Sequence, residues 1–279
     1  MKTLISFIVL LIALSGMVSG CSRNPYPGYE LVWSDEFDID GTPDSENWTY
    51  EYGFVRNQED QWYQPDNAYI KDGYLFIEGK REQIENPNYD PDSKDWRLNR
   101  EFAEYTSTAM TTKGINSWQF GIFEMRARID VRDGSWPAFW TLGENIDEVN
   151  WPGCGEVDIM EYYDGKLLFN VAWRKWTDTN WWGANRGLQR FDEGWANEFH
   201  IWRMEWDEEF LKLYLDDELM NTVVLEYAFN DADESDRPFD QPHFIIINQA
   251  IGGTVGGDPS NTETPFVYQV DYVRVYQKK

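Results

Sequence analysis

The stretch Gly155–Tyr163, Gly-Glu-Val-Asp-Ile-Met-Glu-Tyr-Tyr, limits the folds open to this chain more than any other. Three carboxylates fall within six residues, separated by Val157, Ile159 and Met160. Acidic and apolar residues alternating with a period of two describe a strand with one face in a core. Side chains at i and i+2 share a face, so Glu156 and Asp158 lie together. Glu161 is out of step, and one β-bulge near Ile159–Met160 returns it to the acidic face. Such a strand needs a second layer to cover its apolar side.

The rest of the chain reads as further strands. Tyr29–Phe37 runs into an acidic turn, and Asp72-Gly73 joins 67–70 to 74–79 as a hairpin. Residues 105–110 and 120–129 are strands, and in the second Glu124, Arg126 and Arg128 share a face. Asp164-Gly165 leads into Leu167–Trp173, and Phe199–Trp206 pairs with Leu211–Asp217. Phe244–Gly253 is a continuous apolar run, the mark of a strand buried on both sides. Val270–Tyr276 closes the chain in strict alternation. Residues 82–100 are polar and read as a surface loop forming one wall of a cleft, and 230–240 as an acidic loop. No helix stands out, so the expected class is an all-β sandwich.

Three like charges on one face repel, so stability gives no reason for them. Glycoside hydrolysis does. A retaining glycosidase needs a nucleophile and a general acid/base about 5–5.5 Å apart, and a bulged E-x-D-x-x-E strand sets its outer pair near that separation. The middle Asp would bond the nucleophile and help to separate the two glutamate pKa values. A solvated acidic edge strand is the bland alternative; the apolar spacers and the flanks Trp151-Pro152-Gly153 and Tyr162-Tyr163 argue against it.

Glu156-x-Asp158-x-x-Glu161 resembles the bulged signature of glycoside hydrolase family 16, carried by laminarinases, agarases and carrageenases. Trp33-Ser34-Asp35-Glu36-Phe37, Gly134–Gly143, Phe199–Trp206 and Asp271–Tyr276 also resemble family segments, so the likeness spans 29 to 277. It implies a concanavalin A-like β-jelly roll with a substrate cleft across a concave sheet. It also implies Glu156 as nucleophile, Glu161 as acid/base and Asp158 as support for Glu156. Trp136 and Trp140, an even number apart, would face the cleft and stack on sugars. Trp151, Trp173, Arg128 and Asn248 are further candidate substrate contacts. Fifteen tryptophans are too many for the core alone, so some line a groove. No cofactor is required; Glu36 and Asp271 are candidate ligands for a structural calcium that some family members hold.

The chain departs from many laminarinases in reading Asn170-Val171-Ala172-Trp173 where they carry a His, and in a Trp-rich insertion at 176–182. Two substrate classes therefore stay open for an endo-acting retaining enzyme. One is β-1,3 or mixed-linkage β-glucan, which the general likeness favours. The other is a β-galactoside polymer such as galactan, keratan or mucin O-glycan. A non-catalytic surface glycan-binding lipoprotein is the alternative of another class.

Residues 1–20 resemble a signal peptide, with an apolar core from Leu4 to Leu14 too short to span a bilayer. Val18-Ser19-Gly20-Cys21 resembles a lipobox, which makes Cys21 a lipidated first residue, 21–28 a tether and 29–279 one catalytic domain. A bacterial outer-membrane lipoprotein, monomeric and lipid-anchored, is the expectation. The formal charge of −26 argues against nucleic acid as a partner. Cys154 is the one other cysteine and reads as a buried filler, and His200 as a structural histidine.

Overall fold

Two-residue turns set the strand order, two at the expected places and a third at Asp216-Asp217, where the strand expected to run to Asp217 ends at Leu215. Asp72-Gly73, Asp164-Gly165 and Asp216-Asp217 all adopt positive φ, between 48° and 79°. That is the geometry whose twist matches a tight antiparallel hairpin. The computed structural model describes residues 25–231 and 235–279. The signal segment and the lipidation candidate Cys21 lie outside the described residues.

In chain order the strands are β1 (Tyr29–Asp35), β2 (Thr49–Tyr50), β3 (Gln61–Tyr63), β4 (Ala68–Lys71), β5 (Tyr74–Glu85) and β6 (Phe102–Ser107). They continue with β7 (Ala109–Thr111), β8 (Gly121–Arg128), β9 (Ser135–Gly143), β10 (Glu156–Tyr163), β11 (Lys166–Lys175) and β12 (Asp178–Gly187). The last are β13 (His200–Trp206), β14 (Phe210–Leu215), β15 (Glu218–Val224), β16 (His243–Ile251) and β17 (Phe266–Lys278). Among the described residues one short α-helix, α1 (Ile146–Val149), interrupts them.

The strands form two sheets of a β-jelly roll. The larger runs β15-β14-β13-β8-β17-β5-β6-β3, with β1 on β17 and β4 on β5. The smaller, seven-stranded sheet runs β12-β11-β10-β9-β16-β7-β2 and holds the acidic strand near its middle. Between the sheets lies the core, where Phe139, Val157, Ile159, Met160, Phe169 and Val171 meet Phe123, Met125, Trp202, Met204 and Val273. All nine residues of β16 are buried, as the apolar run requires. One side joins that core, and on the other Phe244 and Ile246 join Ala138, Trp140 and Leu142 in a second apolar cluster.

The structure corrects three further local expectations. Residues 105–110 are not one strand: β6 belongs to the larger sheet and β7 to the smaller, with Thr108 at the crossing. The loop after β5 does not wall the cleft. It props the segment that does, because Arg100 donates from Nη1 to Glu59 O at 2.9 Å and from Nη2 to Gln58 O at 3.1 Å. The stretch 176–182 is no free insertion; it forms the tip and first half of the edge strand β12.

Candidate active site

The expected bulge is present on β10. From Glu156 to Glu161 there are five steps, against four on β9 (Leu142 to Ala138) and four on β11 (Ala172 to Leu168). The extra residue restores the alternation, so Glu156, Asp158 and Glu161 face outward while Val157, Ile159, Met160 and Tyr162 are buried beneath. Gly155 brings the chain into β10 with φ +79°; a Cβ there would lie 2.9 Å from the Phe239 ring. Only glycine meets both demands.

The three acids sit on the floor of a cleft of about 860 Å³. Its lining includes the expected Trp136, Trp140, Trp151 and Asn248. Trp136 donates its indole N–H to Glu161 Oε1 at 2.7 Å, and Trp151 donates to Glu156 Oε2 at 2.9 Å. Trp140 donates to Asn248 Oδ1 at 2.7 Å, and Asn248 Nδ2 donates to the Tyr63 hydroxyl at 3.1 Å. The loop carrying Trp151 is braced from behind. Arg174 bonds Val149 O, and Asn230 Nδ2 donates to Gly153 O at 2.8 Å.

The opposite wall, 51–59, carries residues that no sequence pattern singled out. Arg56 pairs with Glu51 and lies 5.1 Å over the Trp140 ring. Glu59, only 2% exposed, accepts from Gln61 at 2.7 Å and from the Tyr63 hydroxyl at 3.0 Å. Trp181 of β12 is a further lining residue, half exposed, with its ring 6.3 Å from that of Trp151. Asn170, at the site of the expected departure, also lines the cleft and stands opposite Asp158 on the neighbouring strand. Its acid-facing position follows from strand parity; the signal for the 51–59 wall lies in tertiary packing alone.

Burial raises all three carboxyl groups. Glu156 is pushed up to about 7 by desolvation and then by the charge of Glu161, against the Trp151 hydrogen bond and Arg56. Desolvation also takes Glu161 up to about 7; the Trp136 hydrogen bond opposes this and the Glu59 charge adds to it. Asp158 is held well above the usual carboxylate range by desolvation and by both glutamates. Groups that repel this strongly do not all ionise near neutrality, so the cluster holds protons there. One ionised and one protonated glutamate on the same face is the state a double-displacement mechanism starts from.

Two of the expected substrate contacts lie elsewhere. Arg128 is in β8, in the larger sheet, where it bonds Asn197 O at 3.3 Å and Gln269. Glu124 and Arg126 lie with it there, not in the cleft sheet. Alternation told which residues share a face but not which sheet β8 would join. Trp173 is one step out of phase with Ala172, so it enters the core, against Phe239 at 6.1 Å. The calcium expectation does not fit the donors. Arg274 takes Glu36 through two bonds of 2.8 and 2.7 Å, and Arg126 takes Asp271 at 2.5 Å. A cation would have to displace both guanidinium groups. Among the described residues no group of three or more His, Cys, Asp or Glu could hold a metal.

The remaining residues match their expected roles. His200 is held by Asp216 at 2.6 Å and by Trp195 O at 2.9 Å, and it stacks on the Trp195 ring. Cys154 is buried and unpaired.

A jelly roll with paired glutamates on a bulged strand at the floor of a tryptophan-lined cleft defines a glycoside hydrolase that works without a cofactor. The sequence profile of glycosyl hydrolases family 16 matches residues 78–274. The chain belongs to that family. It is 34% identical to a beta-glucanase of Rhodothermus marinus, over 98% of this chain and 93% of the relative. A solved structure from work on the endo-acting O-glycanases that prominent members of the human gut microbiota express to initiate mucin breakdown aligns with a TM-score of 0.84 at 33% identity. It covers 92% of this chain and 94% of its own. The laminarinase catalytic domain from Thermotoga maritima aligns with a TM-score of 0.76 at 33% identity, over 90% of this chain and 99% of that one.

Proposed function

We propose that this chain is an endo-acting, retaining hydrolase of internal β-linkages in a polysaccharide, with β-1,3 or mixed-linkage β-glucan as its substrate. The observation that carries the reading is the bulge that sets Glu156, Asp158 and Glu161 on one cleft floor. The carboxylate of Glu156 attacks the anomeric carbon while Glu161 gives its proton to the departing glycosidic oxygen. The glycosyl ester forms as that C–O bond breaks. Glu161, now a carboxylate, takes a proton from water, which attacks the same carbon and releases Glu156 with net retention. Asp158 supports Glu156. The similarity to a beta-glucanase over nearly the whole chain supports the glucan substrate.

A second reading is an endo-β-galactosidase acting on galactan, keratan or mucin O-glycans. The higher TM-score against the O-glycanase structure favours it, as do Asn170 and Trp181 in the cleft. Mass spectrometry of products from laminarin, mixed-linkage glucan, agarose-type galactan, keratan and mucin separates the two, with Glu156→Gln as control. Oligosaccharides from a glucan, lost in the variant, are expected. Products from keratan or mucin alone would establish the second reading, and binding without turnover would reduce the protein to a glycan-binding module.

The chain is also proposed to be a monomeric outer-membrane lipoprotein, anchored through Cys21 after loss of residues 1–20. The lipobox-like tetrad supports this. Cys21→Ala should release the protein from the membrane fraction; retention there would refute the anchor.

A further inference from the structure

Gly183 has no local reason to be glycine. It is exposed, in the middle of the edge strand β12, with an extended backbone that any residue adopts. What it provides is space. A Cβ at this position would lie 2.2 Å from Asn170 Oδ1 and 3.1 Å from Asn170 Cγ. The register explains why. Gly183, Asn170, Asp158 and Trp140 are paired in one row across β12, β11, β10 and β9. Paired residues on adjacent strands point to the same side of a sheet. The Asn170 amide therefore lies between the bare Cα of Gly183 and the carboxyl of Asp158, its partner in the register. It cannot move away from a side chain at 183 without moving against Asp158 or turning off it.

We propose that Asn170 is a positioning residue for hydrolysis, and that Gly183 is the notch that seats its amide against Asp158. This rests on the catalytic reading given above. Trp140 does not compete for Asp158, because its indole N–H is committed to Asn248. Glu156 and Glu161 face Asp158 from its own strand, and Arg56 and Glu59 line the same cleft from the far wall. Burial and the two neighbouring glutamates favour the protonated form of Asp158, and the oxygen that bears the proton decides which neighbour receives an O–H bond. An amide N–H on one oxygen leaves the other for the proton, so Asn170 sets the direction of that bond.

The test is a cycle of Asn170→Ala, Gly183→Ala and the double variant in the full-length protein, with the crystal structure of Gly183→Ala. Each single change is expected to lower kcat about tenfold, the scale of one lost hydrogen bond to a charged or partly charged group, with KM within about twofold. The double variant should be no slower than Asn170→Ala alone, because the methyl group then meets nothing. The Gly183→Ala structure should show the amide off Asp158. Wild-type kcat in Gly183→Ala, multiplying effects in the double variant, or an Asn170–Asp158 contact unchanged in that structure would each overturn the proposal. Turnover surviving in Glu156→Gln would instead sink the nucleophile assignment, and the Gly183→Ala structure would still decide where Asn170 sits.

Discussion

The two indole hydrogen bonds offer a way to tell the glutamates apart in solution. Replacing Trp136 by Phe removes the 2.7 Å donor on Glu161 and leaves an aromatic ring beside Tyr163. A hydrogen bond to a charged group contributes about 1.5–3 kcal/mol when nothing replaces it. Glu161 keeps an opening to the cleft, so water takes the place and the loss falls just below that range, at about 1.4 kcal/mol. That energy is a tenfold fall in the ionisation constant, so a carboxyl already at about 7 keeps its proton roughly one pH unit higher. If Glu161 is the acid, the alkaline limb of kcat/KM moves up by about that amount and the acid limb stays. Trp151→Phe removes the 2.9 Å donor on Glu156 and should raise the acid limb instead. Its shift should be smaller, because Trp151 is 46% exposed and water already competes. The assay is the release of reducing ends from the preferred polymer across both limbs. Limbs moving the opposite way would exchange the two roles. Limbs that do not move would show that the indoles do not sense the charge of either carboxyl.

Other consequences follow from the same cluster and its surroundings. The folded chain holds protons on Glu156 and Glu161 that the unfolded chain releases between 4.5 and about 7, so these groups cost stability as pH rises through that window. Glu156→Gln or Glu161→Gln should therefore raise Tm above pH 7 by roughly 5 °C and leave it unchanged below about 4.5; calorimetry showing equal gains at both ends would refute the charge origin. Trp181→Ala removes a half-exposed ring from the cleft wall and should raise KM about tenfold with kcat retained. A fall in kcat alone would place that ring in the chemistry. Cys154 is fully buried, and burial pushes its thiol up to about 11, so alkylating reagents should leave folded enzyme active. Cys154→Ala should cost about 1 kcal/mol in denaturant unfolding and spare turnover, whereas abolished turnover in a folded variant would reopen thiol chemistry.

Much of the site was legible because its logic is local. Glu156, Asp158 and Glu161 sit on one strand, and the apolar residues between them both mark the strand and expose the phase error that demands a bulge. Trp136 and Trp140 were legible for the same reason, since an even spacing on one strand puts them on one face. The hairpins at Asp72-Gly73 and Asp164-Gly165 followed from turn chemistry that two residues carry alone. Trp173 was within reach too: counted from Ala172, strand parity already assigns it to the core side.

Sequence alone thus determined the periodicity of each strand, the bulge, the acidic face and the class of chemistry, because those depend on neighbours a few residues apart. Tertiary structure decided which sheet each strand joined, and so sent Arg128 away from the cleft while bringing Trp181 to its rim. It also decided that residues 51–59 would supply Arg56 and Glu59 as the opposite wall, and that an exposed glycine would stand beside Asn170. The reason is physical: the alternation of a strand fixes the two faces of a ribbon, but the partner of each face is chosen by packing between segments far apart in the chain.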